Sequence, residues 1–76
     1  MPVADLALFE RIVRSAFSQR RKMLRNSLQS LTPLLQEAGV SLEEVCSQAQ
    51  VDLTLRAENL SVENYATLTR IIDAAR

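Results

Sequence analysis

Apolar residues recur at intervals of three and four along most of this 76-residue chain, and that spacing commits it to helices. Asp5 is placed to cap a first helix running to about Phe17, with Leu6, Phe9, Ile12, Val13, Ala16 and Phe17 as its apolar stripe. Ser18 is placed to cap a second, reaching about Leu31, in which Leu24, Leu28 and Leu31 share one face. Thr32 and Pro33 read as a cap and a first-turn proline, opening a short helix with Leu34 and Leu35 that Gly39 stops. Ser41-Leu-Glu-Glu44 has the form of a capping box, with Val40 and Val45 at the staple positions. Leu42, Val45, Cys46 and Ala49 then mark a fourth buried face. Between Gln50 and Leu60 the period fails. Val51, Leu53 and Leu55 alternate with polar residues, but a lone strand without a partner is not viable. The segment is expected to be an ordered loop with Leu53 and Leu55 plugging the core. Ser61 caps the last helix, whose stripe is Tyr65, Leu68, Ile72 and Ala75, helped by Ile71, with Leu60 and Tyr65 as its staple. The expectation is a single all-α domain over residues 1–76, a small bundle of four to five helices.

Composition narrows the function more by exclusion than by signal. The chain has no His, one Gly and one Cys. That leaves no metal-ligand spacing, no Ser or Cys with a base beside it, and no glycine-rich phosphate loop. Glu43 and Glu44 are adjacent, point to different faces and serve as capping residues. Cys46 reads as plain core, and a lone cysteine suits a reducing cytosol. No apolar run approaches the roughly 20 residues that span a bilayer. A cytoplasmic, monomeric, non-catalytic domain is expected.

The net charge is zero, yet its distribution is lopsided. Residues 1–25 hold Arg11, Arg14, Arg20, Arg21, Lys22 and Arg25 against Asp5 and Glu10, whereas the remainder carries Arg56, Arg70 and Arg76 against seven acids. A basic half beside an acidic half fits a one-sided footprint on RNA, or else two halves that neutralise each other. Four of the cations fall within Arg20–Arg25. If Ser18 opens the helix, Arg20, Arg21 and Lys22 occupy its first turn, where the helix dipole disfavours positive charge. On a helical wheel Arg21, Lys22 and Arg25 face away from the leucines and are free to reach phosphates. Arg20 falls at the edge of the leucine face, where a guanidinium would need a partner. Arg11 and Arg14 lie off the apolar stripe, as solvated charge or as further RNA contacts.

Two stretches, Phe17–Leu28 (FSQRRKMLRNSL) and Leu55–Tyr65 (LRAENLSVENY), resemble the C-terminal helical domain of the bacterial 16S ribosomal RNA adenine N6,N6-dimethyltransferases. In order and spacing they match that family over nearly the whole chain. The resemblance implies a two-part parent that dimethylates two adjacent adenines near the 3′ end of small-subunit rRNA. Its Rossmann-like domain binds S-adenosylmethionine, and the helical domain grips the RNA. This chain departs from the family in lacking the glycine-rich cofactor loop and the Asn-Leu-Pro-Tyr motif, so the catalytic domain is absent and the chain is expected to be the C-terminal piece. Under this resemblance Arg21, Lys22 and Arg25, with Arg14 as a weaker fourth, are the expected RNA contacts. Arg20 and Glu58 are the expected structural ion pair between the two motifs. A helical protein-interaction or bracing module without RNA contact is the alternative.

Overall fold

The computed structural model describes residues 5–76. Three helices begin where a side-chain oxygen meets their first free amides. Asp5 Oδ1 accepts from Leu8 N at 2.9 Å and opens α1 (Leu6–Ser18). Ser41 Oγ accepts from Glu44 N at 3.1 Å and opens α4 (Leu42–Ala49). Ser61 and Asn64 form a reciprocal box at the start of α5 (Val62–Ala75), each side chain accepting from the other's amide. Between them lie α2 (Leu24–Ser27), a 3₁₀ turn (Leu28–Leu31), α3 (Thr32–Ala38) and a second 3₁₀ turn (Ala57–Asn59). Among the described residues there is no strand, and the fold is all-α.

Thr32 does not cap α3. The 3₁₀ turn runs straight into that helix, leaving Pro33 in its first turn and the Thr32 hydroxyl donating to Gln29 Oε1 at 3.4 Å. Two left-handed residues end helices: Gly39 closes α3 at φ 76°, and Gln50 closes α4 at φ 59°. Only the first is readable in the sequence, since glycine alone enters that region without a Cβ penalty. A Cβ on Gly39 would meet nothing within 4 Å. Gly39→Ala should therefore cost only the conformational term, about 1 kcal/mol, and Gln50→Gly should recover a similar amount. Thermal melts of the two variants should shift in opposite directions.

The core is drawn from every helix: Leu8, Ile12 and Ala16; Leu24, Leu28 and Leu31; Leu34 and Leu35; Leu42, Val45, Cys46 and Ala49; Tyr65, Leu68 and Ile72. α5 is the central element, packing on both α1 and α4. The loop before it supplies Val51 and Ala57, both buried, and Leu53 and Leu55 lie half-buried against the core. On α1 the apolar arc is wider than the surface the bundle covers. The covered line is Leu8–Ile12–Ala16, so Leu6 and Phe17, expected inside, are 62% and 43% exposed. Ala75, expected in the α5 stripe, is exposed as well.

Burial pushes the Cys46 thiol up to about 11, with the Glu43 charge adding to the effect, and pushes the Tyr65 hydroxyl up to about 12. Both groups ionise more easily in the unfolded chain, whose values lie near 9 and 10. Their contribution is thus complete below about pH 9 and is lost as pH rises toward 12. Melting temperature should decline across that window, and Cys46→Ala should remove the lower part of the decline.

Candidate nucleic-acid interface

The basic stretch is a turn, not the start of a helix. α1 continues through Ser18, whose hydroxyl donates back to the Ser15 carbonyl at 2.8 Å and so caps nothing ahead of it. Gln19, at φ −133° and ψ 58°, breaks the helix. Arg20, Arg21 and Lys22 then form a turn closed by Lys22 N donating to Gln19 O at 2.8 Å. The expected helical stripe of Arg21, Lys22 and Arg25 therefore does not exist as such. Two of its members project from the turn and Arg25 stands in α2, but all three are exposed.

α2 starts at Leu24, not directly after Ser18, because its cap comes from elsewhere. No side chain caps it. Leu24 N donates to the Leu55 carbonyl at 2.8 Å and Arg25 N to the Leu53 carbonyl at 3.1 Å. The loop thereby satisfies the amides that a helix start leaves open. Backbone carbonyls carry no residue signature, so this arrangement has no signal in the sequence. It also means these two amides are taken, and an anion here must be held by side chains.

Arg20 follows the same correction. Without a helix at residues 20–22 its wheel position has no meaning, and the side chain is exposed. Glu58 lies in the first turn of the Ala57–Asn59 segment and is exposed too. Among the described residues no ion pair joins Arg20 to Glu58, and Arg20, Arg21, Lys22 and Arg25 form none with any other group. Arg76 is the contrasting case, paired with both Asp5 and Asp73 and so committed to joining the two ends of the fold.

Ser18, Gln19, Arg20, Arg21 and Lys22 line a shallow concavity of about 320 Å³. Arg14 stands exposed one turn before the end of α1, on the side away from Leu8, Ile12 and Ala16. The acidic neighbour is Asp52. Its carboxyl sits below the ordinary range, chiefly because it accepts from Thr54 N at 2.8 Å and Thr54 Oγ at 2.7 Å, with the Arg25 charge contributing. Asp52 is thus engaged within its own turn while Arg25 stays accessible.

Among the described residues no three His, Cys, Asp or Glu converge to hold a metal. The sole glycine is spent on the end of α3, so nothing here fits the phosphate-cradling or cofactor-binding loops that need several. No helix of the described residues is long and apolar enough to cross a membrane.

Comparison with known proteins gives this arrangement a family. The family described as ribosomal RNA adenine dimethylase matches residues 1–74. Ribosomal RNA small subunit methyltransferase A of Dinoroseobacter shibae is 45% identical over 71 residues, 93% of this chain and 23% of that protein. The protein of the same description from Rhodospirillum rubrum is 43% identical over 72 residues, covering 95% of this chain and 22% of its own length. That from Proteus mirabilis is 48% identical over 64 residues, or 84% of this chain and 20% of its own. No solved structure matches. The chain spans under a quarter of the length of these curated relatives. With a family match over almost every residue and a helical fold that carries both motif stretches, the chain belongs to the ribosomal RNA adenine dimethylase family.

Proposed function

We propose that this chain is the C-terminal RNA-docking domain of a 16S rRNA adenine dimethyltransferase, one domain over residues 1–76 that holds small-subunit rRNA for a separate catalytic domain. The observation that carries the reading is the cluster Arg20–Arg25: four exposed cations that form no ion pair among the described residues, with Asp52 as the nearest acid to act on one of them, Arg25. Unpaired cations on a fixed backbone suit a polyanion read by shape, through phosphates and 2′-hydroxyls. Arg21, Lys22 and Arg25 are the phosphate contacts, with Arg14 as a fourth. Arg20 lines the same concavity and joins them, rather than serving as structure. Phe9 and Tyr65 are half or fully buried and offer no face for stacking on bases, whereas Phe17, 43% exposed beside the basic turn, is the one aromatic of the three with an open face.

In this reading the methyl chemistry lies outside the chain. S-adenosylmethionine belongs to the methyltransferase domain of the parent, and flipping an adenine into that domain costs a few kcal/mol that a remote grip on the RNA offsets. The protein acts in the cytoplasm during ribosome biogenesis, and the domain itself is a monomer. A bracing role is favoured by one other observation, the exposure of Leu6 and Phe17 on one flank of α1. A pure brace has no RNA affinity of its own.

The test is a salt titration of binding to a labelled RNA hairpin from the 3′ region of small-subunit rRNA. Four or five phosphate contacts give a log–log slope of about −4. A slope indistinguishable from zero, or no binding at low salt, removes the docking reading.

A further inference from the structure

Building on that docking reading, we propose that the loop from Asp52 to Asn59 is a template for the basic turn, and that Tyr65 is the positioning residue that holds template and turn together. The turn does little to shape itself: its closing bond is Lys22 N to Gln19 O. Its far end is fixed by the carbonyls of Leu53 and Leu55, which accept from Arg25 N and Leu24 N at 3.1 and 2.8 Å. Those carbonyls are themselves held from both sides. Before them, Asp52 accepts from Thr54 N and Oγ, and its carbonyl accepts from Leu55 N at 3.1 Å. After them, the Ala57 carbonyl accepts the buried Tyr65 hydroxyl at 2.7 Å.

Tyr65 also touches the other approach to the turn. Its ring lies 6.2 Å from that of Phe17, at 39°, and Phe17 is the penultimate residue of α1. One side chain on the rigid α5 thus contacts the segment that leads into the cations and the loop that receives them. The loop and the second motif stretch together hold the backbone from which Arg20–Arg25 project. Charges projecting from a backbone fixed before RNA arrives bind with a smaller ordering cost than the same charges on a loose turn, since only side-chain rotamers remain to be ordered.

The experiment compares three variants of the full 76-residue chain against the labelled hairpin, at a temperature where each is fully folded by circular dichroism. Tyr65→Phe keeps the ring against Phe17 and deletes the hydroxyl. It should lower affinity about three- to tenfold, flatten the salt slope by about one, and speed exchange of the Leu24 and Arg25 amides about tenfold. Val45→Ala, a core truncation on α4, supplies a loss of stability elsewhere and should leave slope and amide exchange at these two sites unchanged. If Tyr65→Phe lowers the melting temperature but keeps affinity and slope, Tyr65 is structural only and the assignment is overturned. Arg21→Glu reports on the docking reading itself. Unchanged affinity in that variant sinks both readings together, whereas reduced affinity there with a normal Tyr65→Phe sinks the template alone.

Discussion

Reversing Arg21 and Arg25 to glutamate together should weaken RNA binding about 50-fold at 0.1 M salt and flatten the log–log slope by about two. The magnitude follows from counterion release. Each phosphate neutralised adds about 0.9 to the slope, so each one no longer reached weakens binding at 0.1 M salt by nearly tenfold relative to 1 M. Introduced carboxylates add repulsion. The fold should survive, because both residues are exposed and neither pairs with an acid among the described residues. Removing positive charge near the start of α2 is itself neutral to mildly favourable for that helix. Anisotropy titrations beside far-ultraviolet circular dichroism separate the two effects. Full affinity with normal helicity would show that these side chains do not touch RNA.

The second large effect is on stability. Leu24→Ala should cost about 2–5 kcal/mol and lower the melting temperature by roughly 8–40 °C. Leu24 is completely buried at the first position of α2, directly after the basic turn, and its amide is one of the two bonded to the loop. Domains of this size have little stability to spare, so the variant should be partly unfolded at about 37 °C. Phe17→Ala makes the comparison: its ring is 43% exposed, so truncation should cost far less than that of a buried phenylalanine. A Leu24→Ala melt within about 3 °C of the parent would mean that the side chain does not belong to the core.

What can be read from the residues is what their local chemistry decides. Asp5, Ser41 and Ser61 are legible as caps because each oxygen reaches an amide three residues on. Gly39 is legible as a stop, and the segment before Ser61 as a loop that plugs the core. Ser18 misleads because a serine hydroxyl near a helix end can accept forward or donate backward, and here it donates to Ser15. One misplacement then produces the next. A helix begun too early gives Arg20 a buried edge on the wheel, and a buried guanidinium requires a carboxylate such as Glu58. The actual start of α2 is set by carbonyls of Leu53 and Leu55, far along the chain, and no pattern of side chains announces that. The cations remain the candidate site all the same, since exposure and charge do not depend on whether they sit in a helix or a turn.

The distant origin of that cap has a consequence for biosynthesis. Residues 20–25 leave the ribosome well before residues 53–55, which must arrive to receive the Leu24 and Arg25 amides, and before Tyr65, whose hydroxyl donates to the Ala57 carbonyl of the same loop. Long-range closure of this kind comes late in folding, because the intervening chain must first be gathered. A nascent protein therefore displays its positive charges without their final geometry, in the immediate neighbourhood of a great deal of ribosomal RNA. The final geometry of the basic turn is acquired only when translation of the domain is nearly complete.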